Sequence, residues 1–198
     1  KEKIIFQKNP EEALPIASLT KLMTAVIALE VVSENENYDL QNTWVTISAG
    51  AADQEDVPVY GNLKAGERFN LKQLLDLTLI YSSNDAAYAL GEVIGIENFT
   101  PGAEQGSLRG FVEKMNQKAE ELGLENTNFV NPTGLDPYVK LGVGVDPENL
   151  HYSSETFNSF NYSTARDLVK LAQYIFKNHP SIFEISLEPG PYPVRNGL

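Results

Sequence analysis

The most apolar stretch of the chain runs from residue 15 to residue 29, and its pattern predicts a helix from about Ala17 to Val32. As a helix it would be apolar on nearly every face, which is typical of a helix buried inside a domain. Its first turn nevertheless carries a hydroxyl and an amine, Ser18 and Lys21, three residues apart. That spacing places the two side chains on one face, within reach of each other.

Hydrophobic periodicity predicts further elements around this helix. Short strands are expected at 3–7 and 43–47, and helices at 71–80, 85–94, 107–122 and 163–177. The link between the 71–80 and 85–94 helices is short, and one of its Ser or Asn residues can cap the second helix. Small residues in the 85–94 helix would let neighbouring helices approach closely. The long polar stretch from Asp136 to Tyr162 is interpreted as a surface insertion.

This order of elements predicts one α/β domain over residues 1–198, with a helical lobe at roughly 34–162. The sequence has no internal repeat and no linker-like composition that would divide it. With 198 residues and 42% apolar content, the chain can build a substantial core.

Composition excludes several classes of function. A formal net charge of −12 argues against nucleic acid or an anionic membrane surface as a partner. The absence of cysteine excludes a disulfide scaffold and a thiol nucleophile. The two histidines, His151 and His179, are far apart, and we expect neither a metal site nor a cofactor. The best membrane-span candidate, Met23–Val32, is short and contains Glu30.

Ser18 and Lys21 have the parts of an acylating serine centre. A lysine beside apolar surface loses hydration, which favours its neutral form and makes it a plausible proton acceptor. A serine becomes a strong nucleophile when such a base takes its proton. Backbone N–H groups at a helix N-terminus can stabilise a developing negative charge. The alternative is structural: Ser18 caps the helix and Lys21 extends to solvent.

A second hydroxyl and a carboxamide would complete such a centre, and Ser-x-Asn places both on one short turn. The pattern occurs three times, at Ser33–Asn35, Ser82–Asn84 and Ser159–Asn161. The first and third lie in polar stretches, where a turn-forming role is expected. Only Ser82–Asn84 joins two apolar helices, so we predict that Ser82 and Asn84 face Ser18.

Together these motifs resemble the penicillin-binding proteins and class A β-lactamases, and most closely the D-alanyl-D-alanine carboxypeptidases of low molecular mass. Four segments carry the resemblance, in order along nearly the whole chain: Pro15–Thr24 (Pro-x-Ala-Ser-x-Thr-Lys-Leu-Met-Thr), Ser82–Ala86 (Ser-x-Asn-Asp-Ala), Phe129–Leu135 (Phe-x-Asn-Pro-x-Gly-Leu) and Ser163–Asp167 (Ser-x-Ala-x-Asp). A class A β-lactamase is disfavoured because its Glu-x-x-Leu-Asn motif is absent.

The resemblance implies a transpeptidase-like fold with an incomplete sheet and a large helical lobe. It also implies that Ser18 attacks the D-Ala-D-Ala bond of a peptidoglycan stem peptide, with Lys21 as the base. Ser82 would relay a proton to the departing D-alanine, and Asn84 would bind the substrate backbone or Lys21. β-Lactams would acylate Ser18 as substrate mimics, and the reaction would take place outside the cytoplasm, in the periplasm or on the outer face of the bacterial membrane.

The sequence departs from this family in what it lacks. No Lys-Thr-Gly occurs in it, and we see no counterpart of the family's C-terminal β domain or membrane anchor. The sequence is therefore interpreted as a catalytic domain truncated before Lys-Thr-Gly, and we expect this chain alone to be impaired. Two alternatives stay open: a non-catalytic module of the same fold that binds cell-wall peptide, and a D,D-endopeptidase that cleaves cross-links.

Overall fold

A computed structural model describes residues 4–54, 62–95, 108–135 and 159–187. The elements in chain order are β1 (Leu14–Pro15), a 3-10 turn (Ala17–Leu19), α1 (Thr20–Glu34), β2 (Trp44–Thr46), α2 (Ala49–Ala52), β3 (Arg68–Asn70), α3 (Leu71–Ile80), α4 (Asn84–Ile94), α5 (Leu108–Glu121), β4 (Tyr162–Ser163), α6 (Ala165–Asn178) and α7 (Ser181–Leu187).

Helix α1 lies at the centre of the core, as its all-round apolar pattern predicts. Residues 23–28 are all buried, and the helix packs against α3, α4, α5 and α7. Burial of this kind is the main source of stability for a helix that is apolar on all of its faces. The predicted first turn differs in one respect: residues 17–19 form a 3-10 turn, and the α-helix itself begins at Thr20.

Side-chain caps fix the starts of the helices around α1. Asn70 and Gln73 form a reciprocal capping box at α3, in which each side chain accepts the other's backbone N–H. The Ser83 hydroxyl accepts from the N–H of Ala86 and caps α4. Thr164 does the same for α6. These caps explain why the predicted helices at 71–80, 85–94 and 163–177 are confirmed to within two residues.

Small residues on α4 allow close packing, as expected. A side chain at Gly91 would come within 2.9 Å of Leu108 on α5 and 3.0 Å of Pro132. A hydrogen at this position therefore lets α5 and the segment around Pro132 both lie against α4. This packing brings residues 131–135 beside the beginning of α1.

The described strands form two small antiparallel sheets. β1 pairs with β4, with Leu14 opposite Ser163, and β2 pairs with β3. The fold is thus mixed α/β and mainly helical, and the predicted strand at 43–47 is confirmed as β2. The patterns gave no indication of β3 or α7. The proposed division into a lobe at 34–162 and a remainder stays a prediction.

Two predictions from the sequence are wrong. Residues 4–7 do not form the expected strand, since they pair with no other segment within the described part of the chain, and Ile5 and Phe6 are exposed. The interpretation of 136–162 as a surface insertion fails at its end, because Phe160 and Asn161 are buried and Tyr162 pairs with Pro15. The rest of that stretch, 136–158, lies outside the described residues.

Candidate active site

Ser18 lies on the 3-10 turn that leads into α1, and its side chain is exposed. The residue before it, Ala17, has a φ of +43°, in the left-handed region that non-glycine residues rarely adopt. Such a conformation costs of the order of 1 kcal/mol and persists only where surrounding contacts impose it. The chain therefore bends sharply here and presents the Ser18 hydroxyl at the mouth of a buried helix.

The side chain of Lys21 lies beside this bend and is only 3% exposed. We call the bend and the side chains around the Lys21 amine the Lys21 corner. Its Nζ lies 3.2 Å from the Ser18 Oγ, 2.7 Å from the Asn84 Oδ1 and 2.7 Å from the backbone oxygen of Thr133. The structural alternative, in which Lys21 extends to solvent, does not fit this burial. The amine is held beside the hydroxyl by acceptors from distant parts of the chain.

Ser82 approaches Ser18 from the link between α3 and α4. Its Oγ donates to the Ser18 Oγ at 2.9 Å, and its φ is +59°. The left-handed conformation turns Ser82 out of the α3 direction, while the next residue, Ser83, caps α4. Asn84 is the first residue of α4, and the oxygen of its side-chain carboxamide, Oδ1, accepts a hydrogen bond from the Nζ of Lys21. The four side chains predicted from the sequence thus lie together, whereas their catalytic roles stay predictions.

The carbonyl oxygen of Thr133 is a part of the site that sequence reasoning missed. It belongs to the segment 131–135, which was noted only as part of a family-like motif. The signal was available in Asn131-Pro132-Thr133-Gly134, because Asn and Gly at these spacings are typical of a tight turn. A sequence motif specifies side-chain types, however, and does not show which backbone oxygen points into the site.

Two of the backbone N–H groups that were expected to be free at the helix start are already hydrogen-bonded within the 3-10 turn. The N–H of Leu19 donates to the oxygen of Ile16, and that of Thr20 donates to Ala17 and Ser18. These two groups are therefore engaged within the turn and are not available to a developing oxyanion.

The other two Ser-x-Asn segments behave differently from each other. Ser33 is exposed and donates to the Glu30 carbonyl at the end of α1, in agreement with a local role. Asn161, in contrast, is 4% exposed and makes hydrogen bonds to both Thr20 and Asn131. The turn predicted at Ser159–Asn161 is present at residues 159–160, but Asn161 itself is buried, and its carboxamide satisfies buried polar groups next to the site.

A second polar cluster surrounds the far end of α1. Lys118 lies 3.0 Å from Glu30 and 2.6 Å from Glu121, and the hydroxyl of Tyr174 donates to Glu30. His179 ends α6 with its Nε2 3.4 Å from Glu30. Among the residues that the structure describes, no group of three or more His, Cys, Asp or Glu is arranged to hold a metal ion.

Burial alone would raise the pKa of Glu30, but hydrogen bonds from Tyr174 and Lys118 bring it below its ordinary value. Partial burial would likewise lower the pKa of Lys118, yet its contacts with Glu121 and Glu30 raise it well above the ordinary range. Both groups therefore stay charged at neutral pH, and this cluster acts as an ion-pair network. It is not suited to accepting a proton from a hydroxyl.

No helix in the described ranges combines the length and apolar character needed to cross a bilayer.

Comparison with known proteins agrees with this geometry. Residues 1–191 match the family model of the D-alanyl-D-alanine carboxypeptidases, peptidase family S11. The chain is 36% identical over 152 residues to D-alanyl-D-alanine carboxypeptidase DacF of Bacillus subtilis, covering 77% of this chain and 33% of that protein. It is 30% identical over 187 residues to D-alanyl-D-alanine endopeptidase of Escherichia coli, covering 93% of this chain and 46% of that one.

A solved structure extends the likeness to the fold. Penicillin-binding protein D2 of Listeria monocytogenes, in its cefotaxime-bound form, superposes with a TM-score of 0.64 at 27% identity, covering 93% of this chain and 61% of that one. The chain spans about a third to a half of the length of the two curated relatives. Because the family model matches residues 1–191, the chain belongs to the D-alanyl-D-alanine carboxypeptidase family of serine peptidases.

Proposed function

We propose that the protein is a serine-type D-Ala-D-Ala carboxypeptidase that removes the terminal D-alanine from peptidoglycan stem peptides. Peptidases of this family act on the cell wall, so we place the reaction outside the cytoplasm. The observation that carries the proposal is the buried amine of Lys21 at 3.2 Å from an exposed serine hydroxyl. A hydroxyl that is open to substrate and backed by a shielded amine is the arrangement that acyl transfer needs.

The hydrogen bonds of Lys21 are suited to a neutral amine. Two acceptors, the Asn84 Oδ1 and the Thr133 backbone oxygen, are carbonyl oxygens that can take the two N–H groups of an –NH₂. In the structure the Nζ of Lys21 donates to the Ser18 hydroxyl at 3.2 Å. In the neutral amine this position is taken by the nitrogen lone pair, so the bond reverses and Ser18 donates. Lys21 is the general base in this arrangement.

The reaction proceeds in two steps. The Ser18 oxygen attacks the carbonyl carbon between the two D-alanines, and its proton passes to Lys21. The C–N bond then breaks, and the departing amine takes a proton through Ser82, whose hydroxyl lies 2.9 Å from the Ser18 oxygen. Water subsequently hydrolyses the ester on Ser18 and releases the shortened peptide. A β-lactam also forms an ester on Ser18; its ring opens at the C–N bond, and the released amine stays attached to the acyl group and does not depart.

Covalent labelling tests this proposal. The protein is incubated with a fluorescent penicillin, digested, and the labelled peptide identified by mass spectrometry. We expect the adduct on Ser18 and its loss in Ser18→Ala. The matched control is Ser33→Ala, which removes an exposed hydroxyl from the same helix and should label like the wild type. Label on another residue, or label that survives Ser18→Ala, would refute the proposal and leave a peptide-binding module of the same fold.

A second candidate, D,D-endopeptidase activity, is consistent with the Escherichia coli relative named for it. The two activities share the acyl-enzyme and differ in the leaving amine, which is free D-alanine or the cross-linking residue of a second stem. Parallel incubation with a stem pentapeptide and with a cross-linked stem dimer separates them. We expect release of D-alanine from the pentapeptide to be the faster reaction.

A further inference from the structure

We propose that Asn161 is a positioning residue for the amine of Lys21: it holds the turn at residues 131–135 against α1, so that the Thr133 carbonyl fixes the amine beside Ser18. The inference rests on the proposed function for its chemical meaning. Its structural basis is the buried side chain of Asn161, for which the sequence predicted only a turn-forming role.

The carboxamide of Asn161 connects two distant parts of the chain. Its Oδ1 accepts the N–H of Val130 at 2.6 Å and that of Asn131 at 3.2 Å. Its Nδ2 donates to the Thr20 hydroxyl and to the Asn131 backbone oxygen, both at 2.9 Å. Because the side chain is almost fully buried, its removal would break these hydrogen bonds together and leave the Thr20 hydroxyl, also buried, without this donor.

Asn131 passes this constraint to the turn. Its Oδ1 accepts from the N–H of Thr133 at 3.1 Å and from that of Gly134 at 2.7 Å, and its Nδ2 donates to the oxygen of Leu135 at 3.0 Å. The turn is thus fixed at three points by one side chain. Its Thr133 carbonyl then accepts from the Nζ of Lys21 at 2.7 Å.

The same residue also holds the segment on the other side of Ser18. The backbone oxygen of Asn161 accepts the N–H of Ile16 at 3.0 Å. The turn is pressed against this segment, since a side chain at Gly134 would come within 1.9 Å of the Ala17 oxygen. Asn161 therefore controls the distance between the bend that presents Ser18 and the carbonyl that holds Lys21.

Acylation kinetics provide the first test. Asn161→Ala should lower the rate of penicillin acylation by about 100-fold, since a displacement of about 1 Å at a reacting group costs that much. The control is Asn116→Ala: this side chain bonds the N–H and the oxygen of Phe129, both at 2.8 Å, but makes no described contact with α1 or with 131–135. We expect it to lose similar thermal stability and to acylate within about threefold of wild type.

An activity-independent test uses NMR of protein labelled with ¹³C at lysine Cε. The two Hε protons of an immobilised lysine resonate apart, whereas those of a rotating side chain coincide. The Lys21 signals, assigned by their loss in Lys21→Met, should be split in wild type and in Asn116→Ala and collapsed in Asn161→Ala. Asn161→Asp is used if the alanine variant does not fold, because it keeps the size and the oxygen that accepts from Val130 and Asn131 but replaces the donating –NH₂ group with a carboxylate oxygen.

The outcomes separate the two proposals. Labelling of the wild-type protein at a residue other than Ser18 overturns the proposed function, and the NMR comparison still decides on Asn161. Split Lys21 signals in the Asn161 variants overturn the positioning role. Equal acylation losses in the Asn161 and Asn116 variants, in proportion to their stability losses, would reduce Asn161 to a stabilising residue and also overturn it.

Discussion

Two largely buried lysine amines contact the same central helix at opposite ends, and their surroundings differ in kind. At the beginning of α1, the described hydrogen bonds of Lys21 go to neutral oxygens: a hydroxyl, a carboxamide and a backbone carbonyl. Near its end, Lys118 is held by the carboxylates of Glu30 and Glu121. Carboxylates stabilise the ammonium form strongly, so Lys118 cannot act as a base at neutral pH.

The difference shows how a reactive amine and a structural amine can lie at the two ends of one helix. Neutral acceptors orient an amine in either protonation state, whereas an ion pair fixes its charge. At the Lys21 end the amine lies 3.2 Å from an exposed hydroxyl, that of Ser18. We therefore read the Lys118 cluster as a stabilising network and the Lys21 corner as the reacting one.

Removing each amine in turn is the strongest way to break the comparison. Lys21→Met should lower penicillin acylation of Ser18 by at least about 10⁴-fold, because the serine then loses its base. Lys118→Met should leave acylation within about threefold and instead lower the free energy of unfolding by about 1–3 kcal/mol, through loss of its partly exposed ion pairs. Acylation rates and thermal melts of both variants are the measurements. Comparable acylation losses would show that the two ends are not functionally distinct.

Two glycines in the left-handed region allow a finer comparison. At Gly134, φ +82°, a side chain would meet the Ala17 oxygen at 1.9 Å, whereas at Gly123, φ +64°, which follows α5, nothing lies within 4 Å. Each alanine substitution costs about 1 kcal/mol for the backbone conformation alone. Gly134→Ala should additionally displace the turn and slow acylation by about 10–100-fold. Gly123→Ala should lower the melting temperature but leave the acylation rate unchanged. Equal acylation rates in the two variants would show that the close contact between Gly134 and the Ala17 oxygen does not matter for acylation.

The smallest expected effects concern two glutamates and pH. The pKa of Glu30 lies below its ordinary value of 4.5, so its stabilising contribution is present above that pH and is lost as pH falls through the lowered pKa. Burial raises the pKa of Glu92, against the opposing hydrogen bond from Ser48, so its ionisation destabilises the fold as pH rises above 4.5. Because solvent screens both groups, each effect should be below about 1 kcal/mol.

Glu30→Gln should therefore lower the melting temperature at neutral pH. It should also make the melting temperature decrease less as the pH is lowered into the acid range. Glu92→Gln should raise the melting temperature slightly at neutral pH, since the amide oxygen can still accept from the hydroxyl of Ser48. Melting curves across the acid range measure both. Shifts of the same sign in the two variants would contradict the assignment of opposite pKa directions.

Local signals were sufficient for the longer helices and for part of the site. Helix α3 spans the predicted 71–80 because periodicity and a capping box agree there. Ser18 and Lys21 were found from a three-residue spacing, which brings side chains together in a 3-10 turn as well as in an α-helix. Ser82 was found because it stands between two apolar helices, although nothing local revealed its left-handed backbone.

The parts that the sequence did not reveal depend on tertiary contacts. The Thr133 oxygen reaches Lys21 only because α4 lacks a side chain at Gly91 and admits the neighbouring Pro132. Asn161 was misjudged because a polar stretch looks the same whether its carboxamides face water or buried backbone. The 4–7 segment, conversely, had a strand-like pattern and found no partner among the described residues.

The separation in sequence of the groups around Lys21 has a consequence for folding. The Asn84 oxygen is 63 residues away along the chain and the Thr133 oxygen 112, so no local fragment can assemble this corner by itself. Contacts of such long range form late and at high entropic cost. If Ser18 reacts as proposed, an incompletely folded chain does not react with penicillin. The fraction of molecules that becomes labelled then measures the fraction that has reached the native state.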